Sequence, residues 1–150
     1  MADDFSKKAH VEKVDALFST IAMRYDLVND IQSAGLHRLW KRKMARLVAL
    51  GESEQALDVC CGTGDLIVRW AKRGGRVAGV DMNGAMLNVA RRRLAKCNIG
   101  QSRLYQADAL QLPFGDGQFN VVTIAYGLRN LADYKIGLQE IFRVLKPGGR

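Results

Sequence analysis

The sequence predicts an α/β fold built on a doubly wound parallel sheet, and three observations carry that expectation. From about Gln55 onward, apolar runs of strand length alternate with apolar stripes at helical spacing. The first run ends in a glycine-hinged turn, Cys60-Cys61-Gly62-Thr63-Gly64, from which the next helix starts. An acid, Asp81, closes the second run about twenty residues on, where a carboxylate can accept both hydroxyls of a ribose.

Before the repeating part, Val11, Val14, Leu17, Phe18, Ile21 and Ala22 share one face between Ser6 and Tyr25, which predicts an amphipathic helix. Tyr25-Asp26-Leu27-Val28-Asn29-Asp30 reads as a break. Gly35 and a second helix follow, from about His37 to Leu50, with Leu39, Trp40, Met44, Leu47 and Val48 as its apolar residues. Residues 1–50 are expected to form a helical cap over a ligand site, in one domain with residues 51–150.

Ala56, Leu57, Val59 and Cys60 suit a central parallel strand, and Leu66, Ile67, Trp70 and Ala71 stripe the helix that Gly74-Gly75 ends. Arg76 to Val80 forms the second strand, and Met86, Leu87, Val89, Ala90 and Leu94 mark the next helix. Ser102 to Gln106 is the third strand, ending at Asp108, and Asn120 to Ala125 the fourth, with a turn-rich loop from Leu112 to Gly117 between them. Leu138, Ile141, Phe142 and Leu145 stripe a last helix that stops at Pro147-Gly148-Gly149. That turn should feed a fifth strand, and the chain stops at Arg150, so the sheet is expected to be truncated, with the fourth strand an open edge and the chain alone weakly active.

Gly62 and Gly64 lack a Cβ, so the turn can bend sharply and a ligand can approach its amides. A third glycine, which a dinucleotide fingerprint uses around a pyrophosphate, is missing. Asp58, inside the strand end, suits a sulfonium and an amino group better than a diphosphate, by sign of charge. A nucleoside ligand with a cationic end follows.

The net charge of +8 is spread evenly along the chain, so no tract argues for nucleic acid. Its densest cluster, Arg91-Arg92-Arg93, reads as a solvated helix face. Cys60, Cys61 and Cys97 lack a paired spacing for zinc, and buried thiols with no metal are expected. No apolar run approaches the roughly eighteen residues needed to span a bilayer, and the acidic Met1-Ala2-Asp3-Asp4 start resembles no targeting peptide. The expected location is the cytoplasm.

Three segments then carry a resemblance: Tyr25-Asp26-Leu27-Val28-Asn29 through Ser33, His37 and Trp40; Ala125-Tyr126-Gly127-Leu128-Arg129-Asn130; and Arg143-Val144-Leu145-Lys146-Pro147-Gly148-Gly149. With the Rossmann-like core they resemble class I S-adenosylmethionine-dependent methyltransferases, and more closely the C-methyltransferases of ubiquinone and menaquinone biosynthesis. Val28 and Gln32 depart from that family's pattern. The resemblance implies S-adenosylmethionine as cofactor and a prenylated quinol as substrate, benzoquinol and naphthoquinol both fitting. Peripheral contact with the inner face of the membrane, and a homo-oligomer or a quinone-biosynthesis complex, are further expectations beside that resemblance. Another small-molecule or RNA methyltransferase, or a cofactor-binding module without turnover, is the alternative.

By the same resemblance, Thr63, Asp81, Asp108 with Ala109, and Ala125 contact the cofactor. The residues agree: Asp81, with Met82 beside it, would hold ribose, Asp108 the adenine amine, and Asp58 with the backbone of Gly62, Thr63 and Gly64 the amino-acid end. For chemistry, a cation near the quinol oxygen favours the nucleophilic phenolate, and Arg129 is the first choice. Tyr25 and Asn130 could orient the ring hydroxyls. Asp26 and His37 are conceivable bases, and His37 is kept outside the catalytic set as a packed residue.

Overall fold

β1 (Gln55–Val59) is the strand on which the computed structural model, which describes residues 13–51, 53–100 and 102–150, is assembled. It pairs in parallel with β2 (Arg76–Asp81) on one side and β4 (Val121–Ile124) on the other, and β3 (Arg103–Gln106) extends beyond β2. The order is β3-β2-β1-β4, so the winding direction reverses between β1 and β4. The strands start and stop within two residues of the predicted positions, because the central strands β1 and β2 are buried and their run of apolar residues marks their length.

The period of two splits the core. Ala56, Val77 and Val121 pack on one face with Leu66, Ile67 and Trp70 of α4 (Asp65–Ala71) and Leu87 and Leu94 of α5 (Gly84–Lys96). Leu57, Val59 and Val80 pack on the other with Val144 of α6 (Tyr134–Val144), Phe119, Leu112 and Ala109. Trp70 is the largest fully buried side chain, and its indole N–H donates to the Ala45 carbonyl at 3.3 Å.

The cap differs from the sequence expectation. Helix α1, described over residues 13–21, runs into a short 3-10 turn at Ala22–Arg24; Val11 and the rest of the predicted start lie outside the described residues. The expected break at Tyr25 to Asp30 is instead α2 (Tyr25–Ser33), which ends where Ala34 and Gly35 adopt φ of 47° and 77°. Tertiary partners override its poor propensity: Asp26 pairs with Arg93 of α5, and Asp30 with Arg38 of α3 (Leu36–Leu47).

Helix α3 follows its predicted apolar stripe only in part: Met44 and Val48 pack against the core, but the other residues of that stripe do not. Leu36, Leu39, Trp40 and Leu47 are exposed, while His37, Lys41 and Ala45, spaced by four, are buried. In α6, Phe142 is 80% exposed and Leu138 is also exposed, and the buried line is Gly137 and Val144 with Ile141 packed beside them. Gly137 permits the approach, since a Cβ there would lie 2.5 Å from Leu131 Cδ1.

The Lys146-Pro147-Gly148-Gly149 segment is a turn with proline second and glycine third, Gly148 at φ 74°, closed by the Gly149 N–H on the Lys146 carbonyl at 2.8 Å. It brings Arg150 alongside β4: the Arg150 N–H donates to Asn120 and its carbonyl accepts from Val122, both at 3.0 Å. The edge expected to be open is therefore partly paired. Arg143, in the same signature segment, binds Glu140, Asp116 and the carbonyls of Leu112 and Phe114, so it pins the loop before β4 onto α6.

Candidate active site

A cavity of about 470 Å³ opens at the carboxyl ends of the strands, where the sheet reverses direction. A doubly wound sheet binds ligands there, and the volume lies in the ordinary range for small-molecule sites. A second hollow of about 820 Å³, lined by Gln55, Arg76, Arg103 and Phe114, sits at the opposite ends of the strands, and its position argues against it despite its size.

Of the residues singled out in the sequence, Tyr25, Asp58, Thr63, Asp81, Met82, Asp108, Ala109, Ala125, Arg129 and Asn130 line this one cavity. Gly62 and Gly64 shape it without lining it: both have positive φ, 54° and 75°, and their N–H groups are used within the chain. The Gly62 N–H donates to Asp81 Oδ2 at 2.7 Å and the Gly64 N–H to the Cys61 carbonyl at 2.9 Å. Helix α4 is two turns long and carries Asp65 in its first turn, which offsets its dipole.

Asp81 is oriented from both sides, since the Asn83 N–H reaches its other oxygen at 2.9 Å. Burial pushes its carboxyl up, against those two hydrogen bonds. Each oxygen keeps a lone pair for a ribose hydroxyl. Asp108 is exposed, lines the cavity and accepts the Leu110 N–H on Oδ1 at 2.9 Å, which caps the turn after β3. Ala109 and Ala125 add little bulk, leaving room for a flat base. These features fit an adenosyl cofactor.

Asp58 lies on the α4 face of β1, in register with Thr123, whose hydroxyl donates to it at 2.9 Å. It is 2% exposed, and burial pushes its carboxyl up to about 7, opposed by Thr123 and the Lys41 charge and reinforced by Asp81 and Asp65. Burial likewise pushes the neighbouring Cys60 thiol up to about 12.

Thr63 is spent in a network: its hydroxyl donates to Asp26 at 3.2 Å and accepts from Arg93 at 3.3 Å, while Arg93 also donates to Asp26. Burial alone would raise the Asp26 carboxyl, but the hydrogen bond and charge of Arg93 hold it below the usual range, so Asp26 is a poor base. Arg91 and Arg92 are exposed, as a solvated helix face would be, but Arg93 is this half-buried clamp. His37 is 4% exposed, with Nδ1 at 2.9 Å from Ser33 Oγ, and it does not line the cavity.

Beyond the β4 end, the 3-10 turn Leu128–Asn130 presents Arg129 and Asn130 to Tyr25 of the cap. Among the described residues no carboxylate pairs with Arg129. Tyr126, missed in the sequence, joins them: burial raises its phenol, Tyr25 adds to the rise and Arg129 opposes it. An aromatic between a strand end and a glycine was the available signal. Lys41 and Asn83 were missed too. Asn83 caps α5 through the Met86 N–H at 2.8 Å and ties in α1 through Asp15 and Ser19 at 2.9 and 2.7 Å.

The sequence profile of the ubiE/COQ5 methyltransferase family matches residues 6–150. The chain belongs to that family. A ubiquinone/menaquinone biosynthesis C-methyltransferase of Azotobacter vinelandii is 45% identical over 97% of this chain and 58% of its own length. A demethylmenaquinone methyltransferase of Staphylococcus carnosus is 41% identical over 95% and 59%. The crystal structure of a candidate S-adenosyl-L-methionine-dependent methyltransferase from Methanococcus maripaludis superposes with a TM-score of 0.75 over 87% of this chain and 60% of its own, at 20% identity, a likeness of fold. The chain thus spans under two thirds of the curated relatives' length. The two departures from the family pattern, Val28 and Gln32, both face the cavity.

Proposed function

We propose that this protein carries out S-adenosylmethionine-dependent C-methylation of a prenylated quinol. The observation that carries the proposal is one cavity at the sheet's reversal whose walls hold both halves of the chemistry: Asp81, Met82, Asp108, Ala109 and Ala125 along the strand ends, and Tyr25, Tyr126, Arg129 and Asn130 facing the cap. The printed activities of the two curated relatives support the same reading. Asp81 would hold the ribose, Asp108 the adenine amine, and Asp58 the cationic amino-acid end.

Bound there, the cofactor supplies a sulfonium methyl to an electron-rich ring carbon. Arg129 stabilises the phenolate oxygen that makes the carbon nucleophilic, and Tyr25 and Asn130 orient the ring. Closure by the cap excludes water from the developing charge. The test is to supply the intact protein with methyl-labelled S-adenosylmethionine and reduced, demethylated benzoquinol and naphthoquinol acceptors. Label in a ring C-methyl group of either product is expected; label on oxygen, or none while the cofactor binds, overturns the proposal.

No helix of the described residues is long and apolar enough to cross a membrane. Leu36, Leu39, Trp40 and Leu47 are nevertheless exposed on α3 among Arg42, Lys43 and Arg46, a composition suited to lying on an anionic bilayer that holds a prenylated substrate. Co-sedimentation with anionic vesicles, lost on Trp40→Glu, tests that contact; equal sedimentation of both proteins rules this face out.

A further inference from the structure

Lys41 is the only buried lysine or arginine among the described residues, at 9% exposure, and it sits in the cavity wall beside Asp58, Cys61, Thr63 and Asp65. Helix α3 turns it inward one turn after His37 and one turn before Ala45. Burying an ammonium is costly unless it is paired, so the position needs an explanation.

The nearby acids do not supply a full one. Lys41 Nζ is 3.5 Å from Asp65 Oδ2, long for a charged hydrogen bond, and Asp65 is shared with Arg69, whose Nε lies 3.2 Å from Oδ1. Asp26 is taken by Arg93. Asp58 is bound to Thr123. Two cations thus converge on one carboxylate, and an ammonium carries three donors. A second carboxylate in the cavity would complete the set.

We infer that Lys41 binds the α-carboxylate of S-adenosylmethionine, with Asp65 holding the ammonium in position between α3 and α4. The assignment rests on the cofactor reading above. Asp58 and Lys41 both line the cavity and the Lys41 charge acts on the Asp58 carboxyl, so the zwitterionic amino-acid group would meet one acid and one base. A cofactor lacking only its carboxylate is the matching probe, because it leaves the sulfonium, amino group and adenosine unchanged.

The experiment is calorimetry on the full chain with S-adenosylmethionine and with its decarboxylated form, on the parent, Lys41→Met and Lys41→Arg. Met keeps the aliphatic stem and Arg the charge. The parent is expected to bind the decarboxylated ligand about tenfold more weakly, the size of one charge-assisted hydrogen bond. Lys41→Met is expected to lose about as much for S-adenosylmethionine and nothing for the decarboxylated ligand, with Lys41→Arg restoring part of the loss. Equal losses for both ligands make Lys41 a strut between helices and overturn the assignment, as does equal binding of the two ligands by the parent, which needs no variant to fold. A parent that binds neither ligand removes the cofactor reading itself.

Discussion

Asp26 of α2 and Arg93 of α5 form an ion pair, closed over by the Thr63 hydroxyl, that fastens the cap to the sheet domain at the rim of the cavity. Both side chains are about 30% exposed, so the pair is screened only in part. Asp26→Asn is expected to destabilise the protein by about 1–3 kcal/mol, the scale for a hydrogen bond to a charged group. The Asp26 carboxyl lies below its usual range. Its contribution is therefore present above the unfolded value near 3.9 and is lost as pH falls through the lower folded value. Melting curves of parent and variant should converge as the solution is acidified from neutral pH. A constant gap down to strong acid would show that the pair does not titrate with folding.

Gly127 is needed for space and not for its dihedral angles. Its φ of −73° suits any residue, but a Cβ would lie 2.3 Å from Cys60 Cβ and 2.6 Å from its Sγ. Gly127→Ala should cost about 1–3 kcal/mol by overpacking and displace the turn that carries Arg129 and Asn130. Cys60 itself sits at φ 55°, where glycine is favoured. Adding Cys60→Gly should recover most of the loss, and a double mutant no more stable than Gly127→Ala would disprove the contact as its cause.

The sheet was legible because Leu57, Val59, Val80 and Val121 are buried and every position of a central strand must be apolar or paired. The cap was not. Periodicity placed Leu39 and Trp40 of α3 inside, yet the helix buries Lys41, whose charge is met by Asp65 from another element. Such a long-range pairing leaves no mark in local spacing. The helix Tyr25–Ser33 was hidden for the same reason, as Asp26 and Asp30 are weak helix residues whose partners, Arg93 and Arg38, decide their state. At the site, acids that end strands were readable from position alone, whereas the engagement of Thr63 with Asp26 and Arg93 was not.

Asp58 gives a pH dependence of opposite sign. Burial holds its carboxyl at about 7 against an ordinary 3.8, so the folded protein binds an extra proton between those values. Its contribution to stability is complete below the unfolded value and declines as pH rises through about 7. Asp58→Asn should remove that decline, measured as the difference in unfolding free energy across the same range. In the proposed complex the cationic S-adenosylmethionine would favour the carboxylate, so its binding near neutrality should release a proton. Calorimetry in two buffers of different ionisation heat reads it directly, and identical heats in both would exclude Asp58 as the group facing the cation.

Arg129 should act in turnover more than in cofactor binding. It stands on the turn Leu128–Asn130 beyond the end of β4, in a cavity wall shared with Tyr25 and Tyr126, and among the described residues no carboxylate takes its charge. A cation so placed lines the space between strand ends and cap, where the proposed reaction would put a flat aromatic acceptor. Arg129→Lys keeps the charge but loses the planar fork that can hold a phenolate oxygen and a second acceptor together. The methylation rate of the intact protein on a reduced quinol should fall at least about tenfold, near 1.4 kcal/mol of transition-state stabilisation, with cofactor affinity nearly unchanged. Both quantities belong in the same preparation. Parallel losses of rate and cofactor binding would assign Arg129 to the cofactor or to the fold, and an unchanged rate would remove it from the mechanism.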